Sequence, residues 1–414
     1  MRQTKMIRPE YAAAFKCIGP ACEDSCCTGW AVPIDRPAFE RYQALPESPL
    51  RVLLDANMVR TPEDANPAHY AKMRMPPTMV CPILTEEKLC RIHAELGEEF
   101  LCQTCATYPR IHSSIDNLEE TALSLSCPEA ARVVLLDEEL ARRTMAADHA
   151  MTWNENAEGA PIEYFWPIRE LTVALVLDRQ YALWQRIFLL GTLCRRLDAV
   201  KRGELRRNMA EVLLDFSSAV AEGGLRAAME RIPADTVLQL DMVLQLAGLC
   251  RDRTMVSARF VECLERFKRG IGFGAGAAQT NATLEALAGC YGEAHRRWFA
   301  PFFAANPHIL ENYLVNAIFR RQFPFGTKDG KVATEPETGR EFALLATQFA
   351  LIQGLLIGVA GCRREAFCHA DVIHTVQAAS KHFEHHPQFL DRVHELLVAN
   401  GRDNPHGLTM LVRN

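Results

Sequence analysis

Nine of the chain's 15 cysteines lie between Cys17 and Cys127, and their thiols are the side chains best suited to chemistry. Cys17, Cys22, Cys26 and Cys27 form a C-x4-C-x3-C-C array. Cys81 and Cys90 follow, then a C-x2-C pair at Cys102 and Cys105, and finally Cys127. Thiolates converging from short loops are what a soft metal ion or an iron–sulfur cluster requires. Structural zinc usually takes two C-x2–4-C pairs, whereas this stretch has one clean pair beside the denser array. A single [4Fe–4S] cluster takes four thiolates. Nine therefore allow a cluster plus zinc, a cluster with further thiols nearby, or an all-zinc set. Adjacent Cys26 and Cys27 point in different directions, which disfavours both binding one ion. The scattered Cys194, Cys250, Cys263, Cys290, Cys362 and Cys368 read mostly as ordinary buried thiols.

The elements that must position these thiols are short. Gly19-Pro20 and Cys26-Cys27-Thr28-Gly29 are turn chemistry. Trp30 to Ile34 alternates like a strand, and Asp35-Arg36-Pro37 opens a helix near Ala38–Leu45. Residues 46–80 read as loops with one or two short helices. Helices are expected over 89–96, 98–106 and 128–145, with a strand at Leu123–Leu125. Residues 1–145 thus form a cysteine-rich metal or iron–sulfur unit with little β structure. Residues 146–162 are the best domain joint. From Glu163 to residue 414, apolar residues recur at three- and four-residue spacing, which predicts an α-helical domain. The fold class is mainly α, and alternating strand–helix units are absent.

A formal net charge of −5 and a pI near 6.3 exclude a general nucleic-acid binder. The N-terminus lacks a secretory apolar segment, so the expected compartment is cytoplasmic. In a reducing compartment clustered cysteines are metal ligands or catalysts rather than disulfides. Phe342 to Gly361 has the length of a membrane span, but Thr347, Gln348 and Gln353 dilute it. It reads as a helix buried in a bundle, with no transmembrane span, leaving peripheral membrane contact and oligomerisation open. Gly272 to Ala277 reads as an inter-helix loop, because a nucleotide fingerprint wants a strand before it. His382-Phe383-Glu384-His385-His386-Pro387 reads as a solvated helix end without metal.

The cysteine stretch resembles the CxxCxxCC group of zinc- or iron-chelating proteins and, more specifically, the flagellin lysine N-methylases of bacteria. The resemblance rests on Phe15–Trp30 with Ile34-Asp35, Cys81-Pro82-Ile83-Leu84 and Leu89-Cys90-Arg91-Ile92. It continues through Leu96-Gly97, Cys102 with Tyr108-Pro109-Arg110, and Leu123-Ser124-Leu125-Ser126-Cys127-Pro128-Glu129. Ile309 to Asn316 and Phe323-Pro324-Phe325 look like that family's C-terminal half. The resemblance implies methyl transfer from S-adenosylmethionine to lysine ε-amines of flagellin in the cytosol before export. It also implies a cysteine-bound [4Fe–4S] cluster, with zinc as an alternative or additional metal. The usual radical S-adenosylmethionine enzymes resemble one another in a C-x3-C-x2-C loop. Here Cys22-x3-Cys26 is followed at once by Cys27, which puts a radical route in doubt.

Direct attack of a deprotonated, aligned lysine amine on a sulfonium methyl needs no iron. A cluster could then be structural, bind the methionyl amino and carboxylate groups, or carry electrons, and these remain open. Asn312, Asn316 and Arg320 recur at i, i+4 and i+8 beside Tyr313, a stripe able to grip a carboxylate or orient a lysine. The alternative is a hydrogen-bond network satisfying buried groups. Tyr108 and Arg110 sit near the cysteines and are candidates for an anionic ligand. The cofactor-binding candidates are therefore Tyr108, Arg110, Asn312, Tyr313 and Asn316; no residue stands out as a general base. The competing class is a non-enzymatic module in which zinc staples a helical interaction surface.

Overall fold

The computed structural model describes residues 9–414 apart from 31, 62–66, 88, 117, 147–163, 206, 252–255, 274–282, 329–330, 334–336 and 386–387. The expected joint at 146–162 and most of the glycine loop at 272–277 lie outside the described residues. Helix α1 (Arg36–Gln43) starts where its cap dictates. Asp35 Oδ1 accepts from the Ala38 N–H at 2.9 Å, and Pro37 occupies the first turn. Ser48 caps α2 (Pro49–Asn57) in the same way. Residues 46–80, where loops and short helices are expected, also contain two strands, β2 (Met58–Arg60) and β3 (Ala71–Met73). With β1 (Pro33–Ile34) they make an antiparallel sheet in the order β1-β3-β2. Strands of two or three residues are too short to show a period. The expected helix over 98–106 splits into a 3-10 turn at Glu98–Phe100 and α4 (Gln103–Thr107), after α3 (Arg91–Leu96).

A six-residue strand, β4 (Arg110–Ile115), pairs antiparallel with β5 (Leu118–Leu123) and parallel with β7 (Lys331–Val332), which pairs with β6 (Thr327–Lys328). Its buried positions include Ser113, so small polar residues hide the alternation that marks a strand. The predicted 128–145 helix is two, α5 (Pro128–Leu135) and α6 (Leu140–Ala146). The helical part continues through α7 (Phe165–Leu177), α8 (Leu183–Lys201), α9 (Met209–Ala221), α10 (Arg226–Glu230) and α11 (Thr236–Arg251). It goes on with α12 (Ala258–Gly270), α13 (Leu284–Ala294), a π-turn at His295–Phe299, α14 (Ala300–Ala305) and α15 (His308–Arg321). The chain ends with α16 (Thr338–Arg363), α17 (His369–Phe383), α18 (Phe389–Ala399) and α19 (Pro405–Met410). The chain is mainly α-helical with few strands. Two apolar cores form, a small one drawn from residues 30–105 and a large one that takes residues 11–15 and most of the buried apolar side chains from Tyr108 onward.

Helix α16 is the axis of the large core. By length and composition it could cross a membrane, but 94% of its apolar stretch is buried inside the protein. Its first N–H groups need a partner, and Asp198 on α8 supplies one, accepting from Thr338 Oγ1 at 2.7 Å and the Gly339 N–H at 3.0 Å. The helix meets α12 with backbones almost touching. A Cβ on Gly270 would fall 1.7 Å from the Gly358 carbonyl oxygen. Gly270→Ala should therefore force the helices apart and destabilise the protein by more than about 3 kcal/mol, read from the urea midpoint. A shift under about 1 kcal/mol would refute the close crossing.

Candidate metal centre

The first cysteine loop is folded by its own short-range bonds. Cys22 N–H donates to Gly19 O at 3.1 Å, Cys27 N–H to Ser25 Oγ at 3.2 Å, and Thr28 Oγ1 to Ser25 O at 2.9 Å. Trp30 Nε1 donates to Cys26 O at 2.8 Å. Two backbone bonds then bring distant cysteines together. Cys81 N–H donates to Cys27 O at 2.8 Å, and Leu84 pairs with Cys90. The C-x2-C pair arrives through Asp35, whose second oxygen accepts from the Gln103 N–H at 2.7 Å while the first caps α1. One buried carboxylate thus holds Cys102 and Cys105 against the small sheet. Cys81, Cys90, Cys102 and Cys105 all pack into the small core, whereas Cys127 belongs to the large one. Cys26 and Cys27 belong to neither core. Contrary to the expectation that adjacent cysteines point apart, their Sγ atoms lie 3.9 Å from each other because the turn brings both thiols to one side.

The electrostatics sort these thiols. Burial, with the other thiols' charges adding to it, pushes Cys81 up to about 11 and raises Cys90, whereas Cys27 is raised first by the hydrogen bond it donates to Cys26 and then by burial. Burial likewise raises Cys127 to about 12. Cys26 moves the other way because Cys27 donates a hydrogen bond to it, helped by the Lys381 ammonium. Cys102 is lowered in the same manner by Cys105. Each close pair therefore favours one thiolate, and further ionisation meets desolvation and repulsion that a bound cation relieves. The donor chemistry suits a soft metal. Among the described residues, however, no three His, Cys, Asp or Glu side chains are placed as ligands of one ion.

The wall opposite the first loop comes from the far end of the chain. Lys381 on α17, its side chain 5% exposed, donates to Asp24 Oδ2 at 2.8 Å, Ser25 O at 2.9 Å and Thr28 Oγ1 at 2.9 Å. Gln377 Nε2, one turn earlier, reaches Asp24 Oδ2 at 2.7 Å and Ser126 O at 2.9 Å. Burial would raise the Asp24 carboxyl, but the Lys381 ammonium and its hydrogen bond outweigh it and hold it below the usual range. Gly29 takes φ +88°, a backbone conformation that residues with side chains rarely adopt, where the loop passes Lys381. Just beyond α17, His385 stacks on Trp30 at 5.1 Å, and its Nε2 lies 3.0 Å from Ser126 Oγ. Ser126 Oγ also meets Tyr108 OH at 2.9 Å and Ser124 Oγ at 2.6 Å, and Ser124 donates to Glu384.

Of the segment expected to be a solvated helix end, His382 and Phe383 are buried and Glu384 and His385 are half-buried beside the cysteine loop, whereas His386 and Pro387 lie outside the described residues. His382 stacks on Phe260 at 4.4 Å, and Glu384 faces Arg320 at 3.6 Å. The charges that suggested solvation are matched by partners more than 60 residues away in sequence, which local composition does not reveal. Gln377, Lys381 and His385 recur at i, i+4 and i+8, the spacing that could have exposed this face.

Of the other candidates, Tyr108 lies inside the centre. Arg110 turns away, donating to Phe15 O at 3.0 Å with its guanidinium over the Phe15 ring. Asn316 Nδ2 donates to Leu123 O at 2.9 Å, and its Oδ1 accepts from Tyr11 OH at 2.6 Å. Asn312 Nδ2 donates to Val134 O and Asp137 O, and Tyr313 is buried against Phe349. The two amides bind main-chain groups of β5 and of the segment after α5, so this stripe ties α15 to the cysteine-bearing segment.

Residues 169–411, more than half of the chain, match the family model described as the FliB lysine N-methylase C-terminal domain. The chain belongs to the lysine N-methylase family. It is 32% identical over 138 residues to the flagellar biosynthetic protein FliU of Salmonella muenchen, covering 33% of this chain and 80% of that protein. It is 24% identical over 283 residues to the Lysine-N-methylase of Salmonella typhimurium, covering 64% of this chain and 67% of the relative. The Lysine-N-methylase of Salmonella choleraesuis matches with the same identity and coverage. No solved structure matches. The matched lysine N-methylase domain includes α17, whereas the nine clustered cysteines precede it. The centre is thus built by the family domain and the cysteine-rich segment together.

Proposed function

We propose that this protein transfers methyl groups from S-adenosylmethionine to lysine ε-amines of flagellin, in the cytoplasm, with a cysteine-bound [4Fe–4S] cluster at the centre described above. The observation that carries this reading is the junction of Lys381 and Gln377, from the lysine N-methylase domain, with the Asp24–Thr28 loop. It brings the family domain against the first cysteine loop, which supports placing the reaction beside the thiols. The names of the relatives, lysine N-methylases and a flagellar biosynthetic protein, support the reaction and its target. The nine thiols at Cys17, Cys22, Cys26, Cys27, Cys81, Cys90, Cys102, Cys105 and Cys127 are the donors from which four would hold the cluster. Bound there, the cluster would supply thiolate-held iron able to brace the loops, dock an amino-acid group or carry an electron. The chain's own residues, Lys381 and Gln377 among them, orient the first of these loops. The transfer itself forms an N–C bond as the sulfonium S–C bond breaks, and the ammonium proton must leave first.

Anaerobic purification with iron, sulfide and zinc analysis and a visible spectrum tests the reading. About four irons with sulfide per chain and methylated flagellin lysines are expected. Serine at Cys22 or Cys102 should abolish cluster loading and methylation. Serine at Cys194 or Cys290 should leave both nearly intact. Equal tolerance at all four positions would sink the ligand assignment. Stoichiometric zinc in a colourless protein that leaves flagellin unmethylated would instead support the interaction-module reading.

A further inference from the structure

The last turn of α8, the turn after it and the start of α9 enclose a concavity of about 600 Å³ whose lining includes Arg195, Arg196, Arg202 and Arg207. The chain carries net charge −5, yet residues 195–207 hold six Lys and Arg against two acidic residues. The charge is concentrated by how the acids are used. Asp198 faces inward, where it caps α16, so it does not neutralise the outer face. Arg202 pairs with Glu204 at 2.7 Å, and Arg207 pairs with Asp215. Arg196 lies over the Phe216 ring at 5.1 Å and takes part in no ion pair among the described residues. Arg195 is exposed and takes part in no ion pair among the described residues.

We propose that this concavity docks an acidic peptide segment of a protein partner. Planar guanidinium forks match carboxylates, and among the described residues two of the four arginines, Arg195 and Arg196, pair with no carboxylate. Glu204 and Asp215 line the same concavity and would repel the uninterrupted phosphates of a nucleic acid. Separate side-chain carboxylates can be spaced around them. The volume suits a few residues of peptide. The proposal does not depend on the methylation reading.

Fluorescence anisotropy of a labelled hexaglutamate peptide, titrated with the full chain at low ionic strength, tests it. Saturable binding that weakens with salt is expected, with no binding of hexaglutamine. Arg195→Glu should weaken binding about tenfold, and Arg202→Ala should weaken it in the same direction. The first variant changes an exposed side chain without an ion pair, so its urea midpoint should match the wild type. Equal affinity of the wild type and both variants would overturn the proposal. So would displacement of the peptide by inorganic phosphate at equal concentration, which marks a small-anion site. Tighter binding of single-stranded DNA of the same charge would overturn it too.

Discussion

Lys381→Met is expected to abolish metal loading of the cysteine centre and to destabilise the protein by about 3 kcal/mol. Methionine keeps much of the unbranched stem and removes all three hydrogen bonds to the Asp24–Thr28 loop. Asp24 keeps Gln377 and the Ser25 N–H at 2.8 Å but loses its counter-charge in a largely buried place. The destabilisation comes mainly from that orphaned carboxylate. Asp24→Asn combined with Lys381→Met should thus recover much of the stability without restoring metal loading. That split separates positioning of the loop from general folding. Lys268→Met, which removes a surface pair with Glu265, should change stability by less than about 0.5 kcal/mol. Chemical denaturation with metal analysis on the same samples reads both quantities. Full metal loading in Lys381→Met at wild-type stoichiometry would show that the loop holds its shape without the clamp.

Arg169→Met should produce a loss of stability of about 4 kcal/mol, the largest expected of a single change away from the cysteines. Arg169 is fully buried, 3.2 Å from Glu120 on β5, and its guanidinium lies between the Phe165 and Phe319 rings at 4.7 Å from each. Gln322 closes the network, accepting from Arg169 and donating to Glu120 at 2.7 Å. Methionine leaves Glu120 as a charge in the core with a single amide for company. Adding Glu120→Gln removes that charge and should restore more than half of the loss. Because β5 runs directly into the Ser124–Cys127 turn, the single variant should also loosen Tyr108 and His385 and reduce metal content. A urea midpoint within about 1 kcal/mol of wild type would mean that the hairpin is held by its backbone ladder alone.

Much of this was legible in the chain itself. The cysteines marked a thiol-rich segment by their number, although among the described residues no three His, Cys, Asp or Glu side chains are placed as ligands of one ion. Asp35-Arg36-Pro37 marked the start of α1, because caps and first-turn prolines act over three residues. The helical half declared itself by its period, and α16 by an apolar run diluted just enough to read as core. These signals are local, so no partner had to be known. Tertiary structure decided where the polar side chains go. Ser113 in a buried strand, Arg169 with Glu120, and Asn316 on the backbone of β5 have no local signature, since each is satisfied from another part of the chain. The end of α17 shows this most plainly. Its lysine, glutamate and histidines look solvated as a string of residues, and burial becomes tolerable only because Asp24, Ser126 and Trp30 arrive from the other end of the chain. Burying a charge is favourable or ruinous according to its partner, and only the fold brings that partner within reach.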